Sequence, residues 1–566
     1  MATPSSSPSS SSLGRRPARM TFEKADEGLP PPPAVVLREE HPNPMADEVT
    51  LRRLSNIPRL FRYEDDKPPE ATGLAMDVFA RATILMSSIF LGPALLELAA
   101  QAVEENCDST YAKQEEVECC MEDGRIYGFR PSSLLSNIAV VSGVLVSLAM
   151  PLCGALVDHT PHRWLAGAAS AAGLVVVMAT ETMVSSKTWF AVACLQVIKS
   201  LFYNGHLTVT LSYTSDLTTD AAQQTAYNTY FVVVLYIATL LFLVWVTVMS
   251  YVLNQDDVGT ARISQVTTTC TSGTVFYFGW KWFFRQREAL SVVPEGMTLL
   301  SVGFRKVGRT FARIVRELPA LKWMIFAVMF GEAATGTLIT VATTYMKQFL
   351  QMDSSEIGLT FLAVLIMGGP GSRLGGWIAL KFNPIISAAI CNIVFILVTT
   401  LAALTLNGPD KKAYMPIPGL IWGLCLGWLL PMHSTAFITI VPRGQEAEMM
   451  GLYILAGQSL SWLPPMVFTA LNEAGVDMAV GLASLDIFFF CATLCLIMVL
   501  VANKNRKSLV DPIETAYERQ PTYDSTATLP STTSSLEPGV VVEMHDMEPQ
   551  GMQHRNRNGY SLPSMT

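Results

Sequence analysis

Charged residues are scarce in this chain. Asp, Glu, Lys and Arg make up only 15% of its 566 residues, against about a quarter in an average soluble domain, while half of the chain is hydrophobic. Mean hydropathy is +0.35. No GxxxxGK[ST] run occurs, which argues against a self-contained ATP-driven pump. Ten Cys and seven His never gather at the spacing of a structural zinc site, and His159 and His162 alone, in one open turn, do not make one, so no metal or other cofactor is expected. No carboxylate or His constellation repeats at one membrane face, which argues against a membrane-embedded enzyme. The formal charge of −8 sits largely in the tails and one loop, so no nucleic-acid partner is expected. Arg15 and Arg16 are not followed by an apolar core, and no cleavable signal peptide is read there.

What the chain has is long apolar runs. A helix needs about 20 residues to cross a bilayer core. Runs of that kind fall at 74–101, 132–157, 164–185, 188–214, 228–253 and 262–284, then after a basic gap at 320–346, 356–380, 384–406, 417–441, 449–471 and 477–502. The hydropathy reading therefore predicts about twelve spans. Lipid offers the backbone no hydrogen-bond partner, so such spans must be helices packed together. The expected fold class is an all-α membrane protein. Its expected organisation is a tail at 1–73, six spans in 74–284, a linker at 285–319, six spans in 320–502 and a tail at 503–566.

Lys and Arg set the orientation. They collect before the first span (Arg52, Arg53, Arg59, Arg62, Lys67), in the central gap, and after the last span (Lys504, Arg506, Lys507), which places all three on the cytosolic side. The loop at 102–131 then faces away from the cytosol, with eight acidic residues and Cys107, Cys119 and Cys120. An oxidising compartment permits a disulfide there; three thiols cannot all pair internally, and free cysteines remain the alternative. The tails, with PSSSPSSSSLG at 4–14 and STATLPSTTSSLEPG at 525–539, have too little apolar surface to offset ordering entropy and are expected to be disordered.

In the central gap, Leu300, Phe304, Val307, Phe311, Ile314 and Leu318 recur at helical spacing, while Arg305, Lys306, Arg309, Arg313 and Arg316 fall largely elsewhere on the wheel. This predicts a basic amphipathic helix on the cytosolic membrane surface, in contact with lipid.

Between the second and third spans stands CGALVDHTPHRW, 153–164. Six spans, a long cytosolic linker and six more is the layout of the major facilitator transporters, and this turn resembles their gating motif through Gly154, Asp158 and Arg163. Pro161 and His162 replace the usual Gly and first basic residue. Gly154 would let a neighbouring helix approach closely. Asp158 would accept hydrogen bonds from a helix N-terminus in the opposite half, and Arg163 would pair with a carboxylate there; Glu446 and Glu448, on the same side of the membrane, are the expected partners. The alternative is a solvated turn that marks membrane depth. The second half's equivalent turn, 371–384, lacks the acid.

A closer resemblance lies at 442–468, PRGQEAEMMGLYILAGQSLSWLPPMVF. Pro442, Gly444, Glu446, Glu448, Gly451, Leu452, Tyr453, Gly457, Gln458, Ser461, Trp462, Leu463 and Pro465 resemble the approach to the eleventh span in the autophagy-related vacuolar effluxer family. The resemblance implies a secondary transporter that exports amino acids from the vacuole to the cytosol. It departs from the family pattern where only Asp77 remains of an Asp-Trp-Ala-Asn run and where Glu332-Ala333 replaces Asp-Gly. The physics fits a plasma membrane equally, and a transporter of another small organic solute or a transport-inactive receptor or scaffold would share the hydropathy.

A charged group at the bilayer centre costs roughly 3 kcal/mol or more, so intramembrane polar residues are pathway candidates. These are Lys199, Asn204, His206, Glu332, His433, Gln458 and Asp486, together with Asp77 and Arg81, which are spaced to pair on one helix face. An amino-acid zwitterion requires an anionic partner, for which Glu332 or Asp486 is placed, and a cationic one, for which Lys199 or Arg81 is placed. His206 and His433 titrate in the range that suits a coupled proton. The competing roles are a structural ion pair for Asp77 and Arg81, and interhelical hydrogen bonds for the His and Gln residues. Gly368-Gly369-Pro370 and Pro464-Pro465 mark either bends or packing kinks.

Overall fold

The computed structural model describes residues 57–63, 68–110, 124–214, 216–218, 221–287, 289, 293, 296–441 and 446–517. Both terminal tails fall outside them almost entirely, as do Cys119 and Cys120.

Helices occupy nearly all of the described chain. In order they are α1 (Pro69–Thr110), α2 (Leu134–His159), α3 (Arg163–Glu181), α4 (Trp189–Thr214), α5 (Ala221–Val252), α6 (Asp257–Trp282), α7 (Leu299–Glu317) and α8 (Pro319–Thr344), with a π turn at Tyr345–Phe349. Then follow α9 (Ser354–Lys381), α10 (Pro384–Thr405), α11 (Pro416–Ile440), α12 (Glu446–Ser459), α13 (Leu463–Glu473), α14 (Met478–Ala483) and α15 (Leu485–Tyr517). Their starts follow from local chemistry. Asp256 accepts the Gly259 N–H at 2.7 Å to cap α6, and reciprocal capping boxes open α7 at Thr298 and Ser301 and α9 at Asp353 and Glu356.

Among the described residues, ten helical stretches are long and apolar enough to cross a membrane, which supports the all-α membrane class. The two expected spans missing from that set are α4 and α6, and the reason is their polar content. α4 carries Lys199, Asn204 and His206, while α6 buries Thr260, Ser264, Gln265, Thr268 and Ser272. Both are 26 residues long and pack among the apolar helices, so their polar groups face protein rather than lipid.

The eleventh expected span is two helices. Between α12 and α13 the ladder stops at Leu460–Trp462, and Pro464 and Pro465 follow in the first turn of α13, where a missing N–H does no harm. Ser461 Oγ donates to Gln458 O at 2.8 Å and Trp462 Nε1 to Ser459 O at 3.1 Å, which satisfies the freed carbonyls. The Gly368-Gly369-Pro370 stretch instead lies inside a continuous α9. There the small residues serve packing, because a Cβ on Gly427 of α11 would sit 1.9 Å from the Gly368 carbonyl oxygen.

The cores follow chain order. One buried cluster joins α8 to α15, with Phe90 of α1 and Phe242, Leu243 and Val246 of α5 reaching into it. Two others lie within α1 to α6, one around Tyr213, Trp280 and Phe283, the other around Leu95, Leu96 and Trp189.

Candidate functional site

Two polar clusters lie one above the other between α1 and α4. In the one nearer the start of α1, Asp77 Oδ2 accepts from Arg81 Nε at 2.7 Å, and Asp77 Oδ1 lies 2.6 Å from His206 Nε2. The other His206 nitrogen, Nδ1, is 2.9 Å from Ser170 Oγ on α3. Asp77, Arg81 and His206 are all buried, and Phe276 and Trp280 of α6 close the imidazole off from the side. The ion pair expected at four-residue spacing is present, and the structure adds His206 from another helix.

In the other, Lys199 Nζ lies 3.4 Å from Glu181 Oε2 and 3.1 Å from Ser88 Oγ, while Gln196 donates to Glu181 Oε1 at 2.7 Å. Ser88 follows Arg81 by two helical turns on α1, just as Lys199 precedes His206 by two turns on α4, so antiparallel helices bring the clusters into register about 10 Å apart. Glu181 lies inside the expected span 164–185 but so near its end that it reads as an interfacial acid, and it is not among the sequence candidates. Asn204 bonds only back to the Ser200 carbonyl of its own helix, at 2.9 Å, among the described contacts.

The second half contributes a smaller site. Tyr453 of α12 donates to Glu332 Oε1 of α8 at 2.8 Å, and a Cβ on Gly457 would lie 3.3 Å from Glu332 Oε2. His433 is wholly buried against Gly331, and neither of its ring nitrogens has a partner among the described residues. Asp486 stands apart from this group, accepting from Thr400 of α10 at 2.7 Å. Gln458 contributes its backbone: its carbonyl oxygen lies 3.1 Å from Ser147 Oγ of α2, where the two halves meet near mid-membrane.

Several hydrogen bonds and ion pairs join α1–α6 to α8–α15 at that level or toward the end of α1 and the π turn after α8. Lys347, in the π turn after α8, pairs with Glu97 of α1 at 2.6 Å and also with Asp257 of α6. Asp257 Oδ1 in turn accepts the Ser354 N–H at 2.9 Å. Asn472 of α13 donates to Ser132 and Ser133 at 2.7 Å each, and Glu473 accepts the Arg130 N–H at 2.8 Å and pairs with Arg125 at 3.3 Å. Residues far apart in sequence form this seam, and no local motif marks it. On the same side Cys107 is disulfide-bonded.

The turn between α2 and α3 departs from expectation in three respects. A Cβ on Gly154 would meet no heavy atom within 4 Å, so no helix comes close there; the close approach is at Gly143, whose Cβ would lie 2.9 Å from the Trp462 N. Arg163 pairs within its own half, with Asp216 at 2.7 Å, because the start of α3 lies beside the end of α4; Tyr213 flanks the guanidinium at 5.7 Å. Asp158 pairs with Lys306 of α7 at 2.9 Å rather than with a helix start across the molecule. Glu446 and Glu448 lie in the first turn of α12, and their side chains are outside the described residues.

A family model described as "Vacuole effluxer Atg22 like" matches residues 74–509, which includes every span. The chain belongs to this family. Curated relatives include the MFS-type transporter YxiO of Bacillus subtilis strain 168, 22% identical over 196 residues, covering 35% of this chain and 44% of the relative. Another is autophagy-related protein 22 of Coccidioides immitis strain RS, 24% identical over 221 residues, covering 37% of this chain and 36% of the relative. The matched stretches thus span about two-fifths of those relatives. Solved structures resemble it in fold: a single-residue mutant of the nucleoside transporter NupG at 11% identity and TM-score 0.55, covering 76% of this chain and 99% of that one, and a D-xylose–proton symporter at 11% identity and TM-score 0.51, covering 76% and 96%. This Atg22-like chain is therefore a multi-pass integral membrane protein that shares the fold of major facilitator transporters.

Proposed function

We propose that this Atg22-like chain moves amino acids from the vacuolar lumen to the cytosol by alternating access, coupled to protons. The helices in 74–284 and in 320–502 act as two rocking bodies, joined by the linker at 285–319 and flanked by tails at 1–73 and 503–566. The observation that carries the reading is the buried Asp77–Arg81–His206 cluster. An acid, a guanidinium and an imidazole out of contact with water persist in a membrane protein where charge is used rather than merely stored.

The roles divide by chemistry. Arg81, or Lys199 beyond it, meets the carboxylate of the zwitterion, and Glu332 beside Tyr453 meets its ammonium. His206 takes the coupled proton, since Asp77 is in place to stabilise an imidazolium and Ser170 accepts from the other ring nitrogen once both carry hydrogen. The joined seam on the far side from the cytosol matches a cytosol-facing state of the cycle.

Reconstitution in liposomes tests the reading. Labelled amino-acid mixtures are offered against a set pH gradient, and gradient-dependent flux of at least one amino acid is expected. No flux of any amino acid in either direction would sink the substrate class. Asp158→Asn tests the gate: exchange should fall while insertion stays near normal, and unchanged exchange returns Asp158 to a solvated turn.

A further inference from the structure

The linker helix α7 has a basic face that neither the transport cluster nor the seam uses. Its packed side holds Val302, Gly303 and Ile314, all buried, and a Cβ on Gly303 would lie 2.3 Å from the Pro151 carbonyl oxygen of α2. Phe311 meets Phe326 of α8 edge-on, with ring centroids 6.3 Å apart. On a helical wheel Arg305, Arg309 and Arg316 lie away from Gly303 and Ile314, while Arg313 flanks the packed side near Val302 and pairs with Glu317 at 3.5 Å; all four are exposed. Lys306 stands at the border between the two faces and holds Asp158 at 2.9 Å.

The depth of α7 identifies what confronts the arginines. Pro151 lies about 12 Å of helix rise before the end of α2 at His159, and Phe326 lies about 10 Å into α8. The helix therefore runs alongside the cytosolic ends of two spans, at the depth of the lipid headgroups, rather than hanging below them. A single residue, Leu318, separates it from α8. Phe304 and Val315 are exposed between the basic and packed faces, placed to enter the adjoining hydrocarbon boundary. Four guanidiniums at headgroup depth match phosphate in charge and in donor geometry, and the cytosolic leaflet supplies anionic lipid there.

We infer that anionic phospholipid of the cytosolic leaflet is a ligand of α7, and that its binding seats α7 so that Lys306 holds the α2–α3 turn. Membrane charge then regulates the cytosolic end of the transporter through Asp158. The lipid step stands on α7 alone; its effect on flux rests on the transport reading above.

The test uses the full chain in nanodiscs of phosphatidylcholine, with and without phosphatidylserine, followed by hydrogen–deuterium exchange. Phosphatidylserine should protect 299–317 and 156–163 several-fold in the wild type. The R305Q/R309Q/R313Q/R316Q variant should lose both effects, with exchange of 320–335 reporting that it is folded. Lys306→Gln should keep the protection of 299–317 and lose that of 156–163. Equal protection in both lipids, or a response that survives the four substitutions, overturns the proposal. So does equal protection by inorganic phosphate or by poly-glutamate in phosphatidylcholine discs, since the ligand would then be a free anion or an acidic protein. Amino-acid flux measured in the same lipids separates the two readings: no flux at all sinks the transport reading while the exchange result stands.

Discussion

The imidazole of His206 on α4 meets the carboxylate of Asp77 on α1 at 2.6 Å, inside a cluster that already holds the Arg81 guanidinium on the other carboxylate oxygen. One acid thus serves two partners, and each partner depends on it for a different reason. Arg81 is permanently charged and needs Asp77 in order to be buried at all. His206 carries charge only when protonated, and Asp77 is the acid beside its ring.

The first prediction follows from that asymmetry. Asp77→Asn leaves a buried guanidinium without a counterion, so the folded protein should lose about 3–5 kcal/mol and flux should vanish. Asp77→Asn combined with Arg81→Met removes both charges and should recover most of the stability but none of the flux. Thermal unfolding in detergent, read beside liposome flux, checks both halves. If the double variant is no more stable than the single one, the cluster is not the ion pair described.

His206→Asn separates coupling from binding. Uptake driven by a pH gradient should fall by an order of magnitude or more, while exchange of labelled for unlabelled amino acid at equal pH should persist. Equal loss in both assays would make His206 a structural residue that positions Asp77.

In the π turn after α8, Lys347 bridges Glu97 and Asp257 across the two halves. Lys347→Met leaves two acids facing each other with no cation between them. Hydrogen exchange at 345–356 should rise several-fold, with 320–335 unchanged, and Lys347→Arg should restore protection. An unaltered exchange pattern in the methionine variant would show that the seam is held by Asn472 and Glu473 without help from Lys347.

Two glycines in α2 should respond in opposite ways. Gly143→Ala places a methyl 2.9 Å from the Trp462 backbone, and overpacking of this kind costs about 1–3 kcal/mol. Gly154→Ala meets nothing within 4 Å and should be neutral or slightly stabilising, since alanine favours helix. Melting temperatures of the two variants decide the point, and a Gly154→Ala loss as large as that of Gly143→Ala would restore the close approach expected at the turn.

Much of the architecture was legible in the amino-acid order. The start of α10 at Pro384, the basic amphipathic helix at Leu299–Glu317 and the interruption before Pro464 are local events, governed by hydropathy, helical period and the missing proline N–H. The Asp77–Arg81 pair was legible too, because four residues along one helix fix its geometry. Glu181, Asp216 and Lys347 were not: a charged residue near the end of a span and a buried counterion look alike until a second helix arrives beside it.

By itself, then, the sequence determined that the chain spans a membrane many times and which polar residues must hide among helices, because transfer from water to lipid depends on composition run by run. Only the tertiary structure decided who meets whom. It gave Arg163 to Asp216 and Asp158 to Lys306, joined the two halves through Lys347 and Asn472, and moved the close helix contact from Gly154 to Gly143. Pairing distances depend on the register and tilt of helices far apart in the chain, which no local pattern records.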